Sequence, residues 1–295
     1  VIRARTGGSL KAAVSQLEGG LSKISEAMAK VVEEEGGRIR YGAEVAEILF
    51  EGKRAVGVRM ADGSEERYDR IVVNADFGHA LTHLVPDGAV PKYTHEKVEG
   101  KKYSCSTFML YLGLSKRYDL RHHTIVFAED YRKNVDEIFS GQLAFPDFSF
   151  YVRDASVTDA TLAPDGKTAL YVLVPAPNRQ LGADIDWAAE TPRIRARVLE
   201  LLASRLGMAD VAEHIEAERI VTPEDWESEH DVMFGATFNL AHNLGQMLWL
   251  RPHNRLESVE NVYLVGGGTH PGSGLPTIYE SGRISADLIR REFGK

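Results

Sequence analysis

One short segment near the end of the chain constrains the fold more than any other. Residues 261–283 read Asn-Val-Tyr-Leu-Val-Gly-Gly-Gly-Thr-His-Pro-Gly-Ser-Gly-Leu-Pro-Thr-Ile-Tyr-Glu-Ser-Gly-Arg. The apolar run at 262–265 predicts a strand, the glycines predict a turn, and Pro276 predicts the start of a helix. Glycines let a backbone approach a ligand, and the free N–H groups and positive dipole of a helix start attract anions. The segment therefore predicts a nucleotide cofactor site.

The segment lacks the rest of a self-contained dinucleotide fingerprint, which requires a second strand and an acidic residue about twenty positions further on. Only the helix follows before Lys295, and Thr277 stands where a third glycine is expected after Gly272 and Gly274. A nicotinamide-type Rossmann site is therefore excluded. We interpret the segment as the closing part of a flavin site whose opening strand lies elsewhere. The alternative is a structural turn that binds nothing.

The composition excludes several classes of function. With 35 Lys and Arg against 43 Asp and Glu, the net charge is −8, so nucleic acid is not an expected partner. The single cysteine, Cys105, excludes an internal disulfide, and the ten histidines show no HExxH spacing, so no metal is expected. No apolar run is long enough to span a membrane, no signal peptide is visible, and the start without methionine indicates a fragment.

Hydrophobic patterns along the chain predict a mixed α/β (α+β) fold in two parts. They predict an amphipathic helix over 21–35, a β meander with strands at 44–50, 55–60 and 67–74, and apolar strands at 107–114 and 169–174. The last meander strand runs into polar residues up to Asp76, where an α/β sheet usually offers its ligand crevice. The two apolar strands are expected to be covered on both faces.

These segments together resemble the bacterial-type phytoene desaturases, FAD-dependent carotenoid dehydrogenases within the flavin amine oxidase-like superfamily. Residues 261–282 follow the terminal signature of that family. Supporting blocks lie at 104–114, 149–152, 222–226 and 235–243, and in the motif Arg251-Pro-His-Asn-Arg255. The resemblance begins at about residue 17 and corresponds to the C-terminal two thirds of the family.

The resemblance implies that FAD is the cofactor and that the chain is part of a two-dinucleotide-binding flavoprotein fold. It implies an FAD-binding domain at 1–86 and 256–295, without the N-terminal GxGxxG part, and a substrate-binding domain at 87–255. The implied cofactor contacts are Val45, Gly267, Gly268, Thr269, Gly274, Leu275, Pro276 and Thr277.

Several of these residues have an ordinary structural alternative. Val45 is equally a buried valine of the meander. His270 either faces the flavin or braces the glycine turn. Arg251, His253 and Arg255 either gate a substrate entrance or form a solvated face, which is the usual role of exposed charges.

The implied reaction is FAD-dependent desaturation of a phytoene-like polyene, in which hydride transfer to the flavin introduces a conjugated double bond. A long apolar substrate implies that the enzyme associates peripherally with a membrane surface, and the single cysteine suits a reducing compartment, the cytoplasm. The alternatives are a carotenoid isomerase or saturase of the same superfamily, and a truncated, non-catalytic remnant. His242, His270 and Glu280 are weak candidates for a proton acceptor, so no catalytic residue is assigned. The oligomeric state is left open.

Overall fold

The computed structural model describes residues 19–294. Residues 1–18, where the predicted cofactor domain and the family resemblance begin, lie outside the described residues. The described chain forms two compact units, one from residues 19–39 and 106–225 and the other from 40–105 and 226–294. These boundaries differ from the predicted ones in two ways. Residues 87–105 and 226–255 group with the glycine-rich segment, and residues 19–39 group with the unit that contains 106–225. The assignment of cofactor and substrate to separate domains stays a prediction.

Strands and helices alternate irregularly along the chain. The strands are β1 (Val45–Glu51), β2 (Arg54–Met60), β3 (Glu65–Arg67), β4 (Ile71–Val73), β5 (Ser106–Leu114), β6 (His123–Val126), β7 (Phe150–Asp154), β8 (Thr168–Ala176), β9 (Ile215–Val221) and β10 (Val262–Leu264). The α-helices are α1 (Ser22–Glu34), α2 (Phe77–His79), α3 (His95–Glu99), α4 (Tyr131–Phe139), α5 (Trp187–Leu206), α6 (Pro223–Ser228) and α7 (Leu275–Phe293). A π-helical turn, Ala80–Leu84, continues α2.

The first unit is built on a five-stranded antiparallel sheet in the order β6-β7-β8-β5-β9. Leu110 pairs with Val172 on the face that packs with α5, and both side chains are fully buried. On the other face Tyr111 pairs with Tyr171, and Tyr111 is 37% exposed. The expectation that both apolar strands are covered on both faces is therefore wrong: β8 alternates between buried and partly exposed residues. One face of an antiparallel sheet can remain open because no crossover helices are required there.

The predicted N-terminal helix is confirmed as α1, which belongs to the first unit. It ends as expected at glycine, since Gly36 adopts φ = 82°, a left-handed conformation that suits residues without a Cβ. Only Ile24 of its apolar residues is fully buried, and Met28 is exposed.

The second unit contains the meander β1-β2-β3, a separate parallel pair β4-β10 and the terminal helix α7. The hairpin predicted at Asp62-Gly63 is confirmed by the antiparallel pairing of β2 with β3. The single strand predicted at 67–74 is wrong, because the chain leaves the meander after Arg67. It resumes as β4, which pairs in parallel with β10, Val73 opposite Leu264. Val72 on β4 is exposed, so this strand is buried on one side only.

Candidate functional site

The parallel pair β4-β10 brings the segments that follow these two strands to the same edge of the pair. The N–H of Val265 donates to the carbonyl of Val73 at 3.0 Å, which extends the pairing to the first residue of the turn. Beyond this point lie Asn74 and Gly266, and a Cβ added at Gly266 would lie 3.5 Å from the Asn74 Oδ1 atom. The polar end of β4 and the glycine turn after β10 therefore meet, as expected of parallel strands whose carboxyl ends share one edge.

The glycine turn has a backbone that other residues adopt only with strain. Gly266, Gly272 and Gly274 have φ angles of 111°, 139° and 101°. Gly268 is required for a different reason: a Cβ there would lie 2.4 Å from both the Phe77 Cβ and the Asn239 Oδ1 atoms. The close approach at Gly268 is thus to the protein's own side chains. A backbone contact of this residue with the cofactor stays a prediction.

The helix predicted at Pro276 is confirmed as α7, which begins at Leu275 with proline in its first turn. No side chain caps this end, because the Thr277 hydroxyl donates back to the carbonyls of Ser273 (2.5 Å) and Gly274 (2.7 Å). Gly274, Leu275 and Pro276 are exposed. The first N–H groups of the helix and its positive dipole end are therefore open to a ligand.

Buried hydrogen bonds fix α7 against β10. The Asn254 side-chain amide donates to the Ser281 carbonyl at 3.0 Å and lies within 3.3 Å of the Ser285 hydroxyl. Ser285 donates to the Leu264 carbonyl at 2.7 Å, and the Gly266 N–H donates to the Ser281 hydroxyl at 3.2 Å. These three side chains are all buried. They set the orientation of the helix start relative to the turn. Asn254 and Ser281 lie in the motifs noted in the sequence, but no local pattern indicated that their side chains bond to each other.

Arg251 neither gates an entrance nor belongs to a solvated face, since it is only 1% exposed. Its guanidinium donates to the Gly267 carbonyl from Nε (3.0 Å) and Nη2 (2.7 Å), and also to the carbonyls of Gln246 and Leu240 (3.3 Å each). Burial lowers the pKa of this guanidinium. Arg255, by contrast, is half exposed and paired with Glu292.

The side chains of Asp76 and Asn239 are hydrogen-bonded to each other, and Asn239 lies against Gly268. Asp76 accepts hydrogen bonds from the Asn239 side-chain amide and from the N–H of His79 (3.0 Å), which caps α2. Burial raises the pKa of the Asp76 carboxyl, although these donors oppose the shift. Asn239 adopts φ = 63°. The sequence indicated Asp76 only as the polar end of a strand, and the role of Asn239 was missed.

The other candidates occupy ordinary structural positions. His270 Nδ1 donates to the Leu248 carbonyl at 3.0 Å, which is a bracing contact, and its position relative to the flavin stays a prediction. Glu280 forms an ion pair with Arg283 on the exposed side of α7. Burial, followed by repulsion from Arg251, lowers the pKa of His242. Val45 pairs with Met60 in the meander, so its contact with a cofactor stays a prediction.

Three exposed apolar side chains lie at the start of α7 or against the segment that leads into it. The Ser273 hydroxyl donates to the Phe238 carbonyl at 2.9 Å, and His270 Nδ1 donates to the Leu248 carbonyl at 3.0 Å. Phe238, Leu248 and Leu275 are 45%, 70% and 39% exposed. We call these three residues the apolar rim. A cleft of about 720 Å³ lies next to it, lined in part by Trp249, His270 and Ile284.

A parallel strand pair, a strained glycine turn and an open helix start define a dinucleotide-binding class of site. The chain belongs to the flavin containing amine oxidoreductase family, which matches residues 2–290. The predicted α/β fold, the predicted family and the flavin cofactor, FAD, are thereby confirmed. The positive-φ glycines and the uncapped helix are the features of this chain that suit such a group.

Individual relatives agree with this assignment. A 4,4'-diapophytoene desaturase (4,4'-diapolycopene-forming) of Methylomonas sp. is 54% identical over 279 residues, covering 95% of this chain and 54% of the relative. A phytoene desaturase (neurosporene-forming) of Rhodobacter capsulatus is 40% identical over 292 residues, covering 94% and 55%. The chain thus spans about half the length of these curated relatives. An oxidoreductase structure from Methanosarcina mazei shares the fold, with a TM-score of 0.58 and 16% identity over 92% of this chain and 55% of that one.

Within residues 19–294, no helix combines the length and apolar character that crossing a bilayer requires. Over the same residues, no group of three or more His, Cys, Asp or Glu side chains is arranged to hold a metal ion.

Proposed function

We propose that this chain forms the C-terminal part of an FAD-dependent desaturase that introduces conjugated C=C bonds into a phytoene-like polyene. The observation that carries the proposal is the apolar rim, because its three exposed side chains lie at the uncapped start of α7 or against the segment that leads into it, in a family of flavin oxidoreductases. A hydrocarbon substrate needs a predominantly apolar lining, which exposed Phe and Leu side chains can supply. The names of the two relatives, both desaturases of carotenoid precursors, support the same reaction.

The residues of this chain would act by binding and by electrostatics. Bound FAD would supply the hydride acceptor. The open N–H groups at Leu275 and Thr277 would stabilise negative charge beside them, since the dipole of α7 is positive at that end. Phe238 and Leu248 would hold the polyene and exclude water.

The other unit supplies a second surface that suits a polyene. Tyr111, Tyr151 and Tyr171 lie on the open face of its sheet, with ring centroids 5.9 Å and 5.6 Å apart along the row. Burial raises the pKa of Tyr171 to about 12, so its ring stays neutral at physiological pH. We propose this unit as the substrate-binding domain and the unit with the glycine turn as the cofactor-binding domain.

The test uses the full-length protein, reconstituted with FAD and supplied with phytoene or 4,4'-diapophytoene in lipid vesicles. We expect visible polyene absorbance to appear, and Leu248→Asn to slow it at least severalfold without weakening FAD binding. Leu181→Asn, at another exposed leucine that lies in the other unit, is the control. Full flavin occupancy with unchanged spectra for both substrates would reject the desaturase proposal.

We also propose that the full-length protein contacts membranes peripherally, through the apolar segment that contains Leu244, Trp249 and Leu250. Leu244 is 91% exposed and Trp249 is 74% exposed, and exposed leucine and tryptophan side chains favour the bilayer interface. Trp249→Ser should reduce co-sedimentation with phosphatidylcholine vesicles. Tyr41→Ser, at another exposed aromatic residue, should not. Equal sedimentation of all three proteins would contradict this role for the segment.

A further inference from the structure

The Arg251 guanidinium donates hydrogen bonds, but no negative charge within residues 19–294 neutralises it. Its donors reach only backbone carbonyls, and no carboxylate of residues 19–294 lies within ion-pair distance of it. Other arginines in the same unit, such as Arg59 and Arg283, are paired with glutamate and lie at the surface. A buried cation without a counter-charge is costly, so a protein retains one chiefly where an anion compensates it.

Arg251 also determines which groups of the turn remain available. It holds the Gly267 carbonyl by two hydrogen bonds, and in a trans peptide the following N–H points the opposite way. The N–H groups of Gly267 and Gly268 have no hydrogen-bond partner among residues 19–294. A Cβ added at Gly272 would lie 3.8 Å from the Arg251 Nε atom, so the charge lies directly against the turn.

We propose that Arg251 is a positioning residue for the anionic pyrophosphate of FAD. By fixing the Gly267 carbonyl away from the ligand it leaves the turn's N–H groups free to donate, and its charge adds to the positive end of α7. The inference rests on the proposed function only in that FAD is the ligand of this turn. It requires no assumption about the substrate.

The experiment measures FAD affinity of the full-length apoprotein by flavin fluorescence quenching at several salt concentrations. Arg251→Met removes the charge while keeping much of the side-chain volume, and should weaken binding on the order of tenfold and flatten its salt dependence. Arg251→Lys keeps the charge but loses the planar fork, so its affinity should fall less and its salt dependence should persist. Arg255→Met, four residues further on at an exposed ion pair, should change neither quantity.

The outcomes separate this inference from the proposed function. Failure of the wild-type protein to bind FAD would reject the cofactor assignment itself. If the wild type binds but a folded Arg251→Met protein binds equally well, the role of Arg251 is rejected. If Arg251→Lys loses as much FAD affinity as Arg251→Met, and its salt dependence is flattened to the same extent, Arg251 acts only as a structural brace. That result would also overturn the inference.

Discussion

Replacing Gly268 with alanine tests why the turn contains glycine at this position. The added Cβ would lie 2.4 Å from the Phe77 Cβ and the Asn239 Oδ1 atoms, well inside normal contact distance. The Phe77 Cβ is fixed by its backbone, so the turn must shift away from it, and the Asn239 side chain must move as well. That movement breaks its hydrogen bonds to Asp76 and to the N–H of Leu240. Overpacking of about 1–3 kcal/mol and two lost hydrogen bonds of about 1 kcal/mol each give a destabilisation of about 3–5 kcal/mol.

The matched control is Gly282→Ala within α7, where an added Cβ meets nothing within 4 Å. Alanine is a better helix former than glycine, so this variant should gain up to about 1 kcal/mol. The assay is urea unfolding of the full-length apoprotein, compared between the two variants and the wild type. If Gly268→Ala leaves apoprotein stability unchanged and lowers only FAD affinity, the missing side chain serves the ligand and our packing argument is refuted.

Two further predictions concern a buried carboxyl and the sheet of the first unit. Because burial raises the pKa of Asp76 above its ordinary value of 3.8, the folded state binds more protons than the unfolded state as the pH rises from about 4. The free energy of unfolding of the wild type relative to Asp76→Asn should therefore fall with rising pH in that range. Urea unfolding of both proteins from pH 4 to 7 measures this difference in unfolding free energy. A difference that increases with pH would contradict the burial effect. Leu110→Ala should destabilise the protein by about 2–5 kcal/mol because the residue is fully buried against α5, whereas Tyr111→Phe on the open face should change stability by less than about 1 kcal/mol. Thermal unfolding compares the two, and equal losses would show that both faces are covered.

The features that the sequence predicted correctly depend on local rules. Proline near a helix start, glycine after a strand and Asp-Gly between alternating runs each restrict the backbone within a few residues. Thus the start of α7, the hairpin at Asp62-Gly63 and the end of α1 follow from neighbouring residues alone.

The errors arose where distant segments decide the structure. Strand β4 separates from the meander because its partner, β10, lies almost two hundred positions later in the chain. The burial of Arg251 depends on three carbonyls, at Leu240, Gln246 and Gly267, that no local pattern brings together. An arginine in a polar motif is exposed by default, and only the fold shows otherwise.

The buried contacts of Asn254, Ser281 and Ser285 have a consequence for ligand affinity. They anchor α7 about two turns beyond its exposed tip, so the tip cannot rotate or slide without breaking bonds in the protein interior. A molecule arriving at the tip meets donors whose directions are already set, and little conformational freedom remains to be lost on association. Preorganisation at this end of the helix is thus a property of serines and an asparagine that the arriving molecule never touches.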